Sequence, residues 1–159
     1  MKIGLDIHGV ITANSNFFSV FSKLALEQGH KVHIITGSMV TTARIAKLES
    51  FGIVWTHFFS ITDYHKNLGT NITFSDQDNP WIEDSLWDKT KADYCEDQKI
   101  DFHIDDTSRY GIFFKTPFAL YDSTNNLIKW HIRNDKQGVI LLSTPEKLLE
   151  DIQRVALFF

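Results

Sequence analysis

Ile3-Gly4-Leu5-Asp6-Ile7-His8-Gly9-Val10-Ile11-Thr12 is the stretch on which the reading of this chain turns. A short apolar run stops at a carboxylate and enters a glycine-containing turn, the pattern of a buried strand that ends at a loop. The same shape returns much later as Ile100-Asp101-Phe102-His103-Ile104-Asp105-Asp106-Thr107. Two strand-like runs that end in acid suggest one site where carboxylates gather around a cation. The first run has an oddity: two residues after Asp6, where a second carboxylate is expected, stands His8.

Working outward, strand and helix signals alternate. Residues 2–7 read as a buried strand. Residues 15–28 predict a helix, with Phe17, Phe18, Phe21, Leu24 and Ala25 at three- and four-residue spacing and Gly29 as its stop. Val32-His33-Ile34-Ile35 predicts a second strand, ending at Thr36-Gly37-Ser38. A helix follows over 40–50, closed by Gly52, and then a third strand at Ile53-Val54-Trp55. Residues 60–82, with Gly69 and Asn79-Pro80, read as turn-rich with one short strand at 72–74. Residues 83–97 predict a helix and 101–105 a strand. Further extended segments are expected at Gly111-Ile112-Phe113-Phe114, Phe118-Ala119-Leu120-Tyr121 and Val139-Ile140-Leu141-Leu142. Thr144-Pro145-Glu146 opens a last helix, with Thr as N-cap, Pro in the first turn and an acid beside it.

This alternation predicts an α/β fold: a mostly parallel, Rossmann-like sheet flanked by helices in three layers. Ligands of such sheets bind beyond the carboxyl ends of the strands. Right-handed crossovers would bring the ends at Asp6, Thr36 and Asp105-Asp106 to one edge.

The 159 residues suit a single domain, 1–159. A net charge of −4 argues against a duplex nucleic-acid surface, which usually shows a basic stripe. The single cysteine, Cys95, excludes an internal disulfide. No apolar run approaches the length needed to span a bilayer. Met1-Lys2 leads directly into the first strand without a signal-peptide pattern, so the expectation is a soluble, cytoplasmic protein with no membrane partner.

A lone Asp6 could simply cap a turn, and Asp105-Asp106 could cap a helix. Adjacent carboxylates repel, however, and a matching pair of strand ends favours a neutralising cation. Thr36-Gly37-Ser38, between a strand and a helix, offers N–H groups and a hydroxyl suited to phosphate. Lys91, or alternatively Lys89, lies on the helix before the second acidic run and could reach a phosphate there. His30, His33, His57, His65, His103 and His131 lack the spacing of a zinc site.

In order and spacing these elements resemble the haloacid-dehalogenase (HAD) superfamily of phosphotransferases over residues 2–115. Its first motif, an apolar strand ending D-x-D-G-[TV], corresponds to Leu5-Asp6-Ile7-His8-Gly9-Val10. Its second corresponds to Ile34-Ile35-Thr36-Gly37, its third to Lys91 and its fourth to Phe102-His103-Ile104-Asp105-Asp106. The resemblance implies a Mg²⁺-dependent phosphomonoester hydrolase, with Asp6 as nucleophile forming an aspartyl-phosphate. It implies Mg²⁺ ligation by Asp6, Asp105, Asp106 and the main-chain carbonyl of His8, and phosphate binding by Thr36, Gly37 and Lys91. His8 departs from the pattern. It stands either as a substitute acid/base, as the mark of a slow or altered phosphotransferase, or as the mark of a phosphate- and metal-binding module with a regulatory role. Residues 60–88, which hold Tyr64, His65, Trp81 and Trp87, leave room for a small cap. The expected substrate is a nucleotide or another small phosphomonoester, and an open site would also admit a large phosphorylated substrate.

Overall fold

The structure is a computed structural model that describes residues 1–75, 80–133 and 135–158. The chain opens with β1 (Lys2–Leu5), α1 (Ser15–Glu27), β2 (Lys31–Thr36) and α2 (Thr42–Ser50). There follow β3 (His57–Ser60), α3 (Ile61–Asn67) and a two-stranded hairpin of β4 (Thr73–Phe74) and β5 (Pro80–Trp81). Then come α4 (Asp84–Gln98), β6 (Phe102–Asp105), a 3-10 turn over Ser108–Phe113 and β7 (Phe118–Asp122). A second hairpin, β8 (Leu127–Ile132) and β9 (Lys136–Leu141), precedes α5 (Pro145–Ala156).

Seven strands form one sheet in the order β3-β2-β1-β6-β7-β8-β9. From β3 to β7 every pairing is parallel, and β8 and β9 return antiparallel. Central parallel strands carry helices on both faces, so their sequences are apolar on both sides. On one face α1 and α5 bury Phe18, Phe21, Leu148 and Ile152 against Ile3, Leu5, Ile34 and Ile104. On the other, Ala92 and Cys95 of α4 pack with Tyr110, Phe114, Ile35 and Phe118. Gly4 lies at the centre of the sheet. A Cβ there would stand 2.6 Å from His103 Nδ1, so the glycine makes room for the neighbouring strand's imidazole.

The expected mostly parallel α/β sheet flanked by helices is what forms, and most boundaries fall within two residues of expectation. Thr144 caps α5 by accepting from the Lys147 N–H at 3.2 Å. Two expected strands do not form. Ile53-Val54-Trp55 is irregular, because its N–H groups are spent locally: Ile53 donates to the Leu48 carbonyl, Val54 to the Ser22 hydroxyl. Pairing with β2 begins only at Thr56, and the strand is His57–Ser60. Gly111–Phe114 lies in and just after the 3-10 turn, with Tyr110 and Phe114 turned into the core and Ile112 left 82 % exposed.

Three elements went unread in the sequence: α3, β5 and β8. α3 is short, yet Ser60 accepts from the Asp63 N–H at 3.1 Å, a capping signal with the acid three residues on. β8 mixes Lys129 and His131 with apolar residues: Lys129 is exposed, and His131 is half-buried against Phe118 and the Gly111 carbonyl. The turn expected at Asn79-Pro80 lies in part outside the described residues, and Pro80 itself begins β5. No helix among the described residues is long and apolar enough to cross a membrane.

Phe18 is fully buried and meets Phe17, Phe21 and Tyr121 edge-on at 5.4–6.3 Å. Phe18→Ala should cost about 3–5 kcal/mol of stability. Urea denaturation checks this; a loss below about 1 kcal/mol would show that this layer is not the main core.

Candidate active site

β1 and β6 are parallel neighbours in the register Ile3↔Phe102 and Leu5↔Ile104. That register places Asp6 beside Asp105 at the carboxyl end of the sheet, where the Asp6 N–H donates to the Ile104 carbonyl at 3.0 Å. α4 crosses behind them and delivers Lys91, whose ammonium donates to Asp6 Oδ1 at 2.8 Å and to Asp105 Oδ2 at 2.6 Å. All three side chains are buried. Asp106 is exposed beside them. Oxygen atoms of Asp6, Asp105 and Asp106 lie within 4.8 Å of one another, the one such cluster of possible metal-holding side chains among the described residues. Hard carboxylate oxygens on one side of a cavity suit Mg²⁺ or Ca²⁺ better than a thiophilic metal.

The turn after β1 shapes the rest. Residues Ile7–Ile11 form a turn of helical hydrogen bonds broken at His8 and Gly9. Gly9 has φ of 74°, a left-handed conformation. A Cβ on it would fall 1.9 Å from Asp106 Oδ2, so any side chain at this position would evict the carboxylate. Asp105 is held further by the Thr107 N–H at 2.9 Å and by His103 Nε2 at 3.2 Å. The His103 ring stacks on Phe114 with an interplanar angle of 4°.

Above the acids is a cavity of about 330 Å³, lined by Asp6, His8, Gly37, Ser38, Lys91 and Asp106, with Pro80, Trp87, Thr107 and Tyr110 on its walls. The Gly37 carbonyl is pinned by the Thr62 hydroxyl at 2.6 Å. Trp87 lies against Gly37 and donates through Nε1 to the Tyr110 hydroxyl at 2.9 Å. The Tyr110 ring sits 5.2 Å from the Lys91 ammonium.

Of the residues singled out in the sequence, Asp6, His8, Gly37, Lys91 and Asp106 line this cavity, and Asp105 lies directly beneath it. Thr36 does not line it. Thr36 is buried at the end of β2, and its hydroxyl accepts from the Ser38 N–H at 3.3 Å, holding the loop. Lys89 points elsewhere, pairing with Asp93 on the surface, so Lys91 is the lysine at the acids. Tyr64 and Trp81 are exposed outside the cavity. His65 is buried between the Thr70 and Thr90 hydroxyls, and His33 bonds Tyr94 and stacks on His57. Cys95 is buried in the core, which pushes its thiol well above the ordinary range. Ser38, part of the segment read as suited to phosphate, also lines the cavity, whereas Thr107 and Tyr110 were not anticipated. Nothing local in sequence marks Tyr110, although Thr107 directly follows the acidic pair.

The electrostatics are unequal. Burial is the largest influence on Asp6 and, with repulsion from Asp105 and Asp106, raises it to about 7 despite Lys91. Burial works the same way on Asp105, but Lys91 and His103 overcome it and hold that carboxyl well below its usual range. Lys91 is raised: burial works against its charge, and the two carboxylates more than offset that. His8 is lowered by burial first, then by the charges of Arg44 and Lys91, with Asp106 opposing.

Folded Asp6 keeps its proton up to about 7, whereas the ordinary carboxyl releases it near 3.8. Between those values the folded chain binds a proton the unfolded chain lacks, so stability falls as pH rises through the window. In the absence of divalent cations, Asp6→Asn should therefore melt higher than the parent chain at about pH 8, by on the order of 2 kcal/mol. The gap should close near about pH 4. Thermal melts at both pH values check this, and a pH-independent gap would remove Asp6 as the titrating group. No family model matches this chain, and no curated protein matches it.

Proposed function

We propose that this protein is a Mg²⁺-dependent phosphomonoester hydrolase of the haloacid-dehalogenase type. The observation that carries the reading is the placement of Asp6 and Asp105 on either side of the Lys91 ammonium at the floor of a cavity. Three carboxylates face one ammonium, which leaves an excess of negative charge that a divalent cation would balance. Asp6, Asp105 and Asp106, with the main-chain carbonyl of His8, would hold Mg²⁺. When bound, the ion would offset charge on the phosphoryl group.

The chain's own residues supply the remaining chemistry. An Asp6 oxygen attacks phosphorus while the bond to the leaving oxygen breaks, giving an aspartyl-phosphate. Lys91, the Gly37 N–H and the Ser38 hydroxyl grip the phosphoryl oxygens, and Thr36 steadies that loop from beneath by accepting from the Ser38 N–H. Water then attacks phosphorus, releasing phosphate and restoring Asp6. His8, on the cavity wall, is the group available to take the proton from that water. The lowered basicity of its ring favours the neutral imidazole, which is free to accept a proton and has none to spare for a poor leaving group. Substrates with acidic leaving groups, aryl phosphates among them, are thus favoured. The small insert of α3 and the β4–β5 hairpin contributes Pro80 to the cavity and leaves the mouth open to nucleotides, other small phosphomonoesters or the end of a larger phosphorylated molecule.

A second reading has one specific observation behind it. With His8 neutral, the resting site holds no ready proton donor for an alkyl leaving group. A module that binds metal and phosphate and turns over slowly or not at all fits that state.

Release of phosphate from an aryl phosphate should require Mg²⁺ and vanish in Asp6→Asn. His8→Ala should lose about 10²-fold or more in turnover while Mg²⁺ affinity by calorimetry holds. His8→Asp should keep or raise turnover and extend it to alkyl phosphates. Unchanged turnover in His8→Ala would end the acid/base role. If no phosphomonoester in a broad panel turns over while Mg²⁺ and a phosphate analogue still bind, the binding module is the correct reading.

A further inference from the structure

β9 is the free edge of the seven-stranded sheet. Its side chains divide cleanly between two faces. Ile140 is buried in the core beneath α1 and α5, whereas Val139 and Leu141 are 59 % and 69 % exposed. The core under α4 takes in Phe118 of β7 but no residue of β9. Val139 and Leu141 also border a cavity of about 460 Å³ whose wall toward α5 is mixed, with Trp130 and Val155 beside Lys147, Asp151 and Arg154. Edge strands are commonly blunted by charge, proline or a bulge. Here Lys136, at the start of the strand, is the one charged residue of β9, and there is no proline.

The backbone is poised for pairing. Leu142 donates its N–H to the Asn126 carbonyl at 3.0 Å, back across the hairpin, and Ile140 stands opposite Ile128. Hydrogen-bonding direction alternates along an antiparallel strand. The N–H and C=O groups of Ile140 therefore face β8, and those of Gln137, Val139 and Leu141 face outward.

We propose that this edge pairs with the same edge of a second copy of the chain. An antiparallel pairing about a two-fold axis at Ile140 satisfies three requirements together. It sets Val139 against Leu141 of the other copy, and Leu141 against its Val139, so apolar side chains meet on the exposed face. Val139 and Leu141 then exchange their outward hydrogen bonds across the axis, and Gln137 faces Ser143, polar against polar. Lys136, whose ammonium donates to the Phe158 carbonyl of its own chain at 3.2 Å, is set opposite Thr144 of the other copy, near the exposed Glu146 in the first turn of its α5, so a cation adjoins a carboxylate. Such an interface is isologous and closes at two chains, removing both β9 edges. Pairing β9 with the opposite edge, β3, would instead leave an edge open at each end and propagate.

Sedimentation velocity of the intact chain from low micromolar to sub-millimolar concentration tests this, together with amide hydrogen exchange at the two extremes. The expected mass rises with concentration to twice 18.4 kDa. The Val139 and Leu141 amides should exchange slowly at high concentration and quickly on dilution, while the Ile140 amide stays protected throughout. Leu141→Lys should weaken association by roughly tenfold or more. Its unchanged Ile140 protection would show that the sheet remains folded. A monomer at every concentration overturns the proposal and leaves this edge to a strand from a different protein. A dimer with freely exchanging Val139 and Leu141 amides overturns it too, as does one that Leu141→Lys leaves unaffected.

Discussion

One ammonium group holds the site together. Lys91 reaches the ends of two neighbouring strands and bonds a carboxylate on each, with all three charges out of water. Removing the ammonium from such a cluster would leave buried carboxylate charge uncompensated, which costs several kcal/mol. α4 is therefore constrained in position and rotation as much by this contact as by its apolar packing. Ala92 and Cys95 fix the same face of the helix into the core, and Trp87, one turn earlier, closes the cavity wall. Three segments distant in sequence thereby become one structural unit.

Although Asp6 and Asp105 share the ammonium, they divide the proton unequally. Asp105 has the Thr107 N–H and the His103 ring as additional donors. Lys91 is the side chain bonded to Asp6 among the described contacts. Asp105 is accordingly a fixed charge, and Asp6 is the member whose state can change. A carboxylate that lacks stabilising neighbours is also a better nucleophile, and the asymmetry follows from which strand carries the His and which carries the Gly. Gly4 on β1 leaves space for His103 on β6, so the support for Asp105 is built from its neighbour's missing side chain.

The parts of the fold legible in sequence were those with a short-range cause. Strand-end acids, helix periodicity and the Thr144 cap are properties of adjacent residues, and they came out where expected. What failed depended on distant partners. Ile53-Val54-Trp55 has strand composition, yet its N–H groups are taken by α1 and α2. Gly111-Ile112-Phe113-Phe114 is apolar enough for a strand but turns to lay Tyr110 and Phe114 over α4. At the site, Asp6 and Asp105 could be paired because parallel neighbours end at one edge. The hydrogen bond from Trp87 to Tyr110 had no such warning, since it joins a helix to a turn that composition did not reveal. Thr36 was correctly located at the strand end, but its hydroxyl serves the loop and not the cavity.

The two residues of the first turn differ in how freely they can change. Gly9 lies so close to Asp106 that no side chain can be added there without displacing the carboxylate. His8, next to it, projects into open cavity space. Histidine and aspartate codons differ by a single first-position base. The turn therefore keeps its shape by a rigid neighbour and leaves on the cavity wall a position one mutational step from a carboxylate, so that a further acid there could be gained or surrendered over evolution without refolding the site.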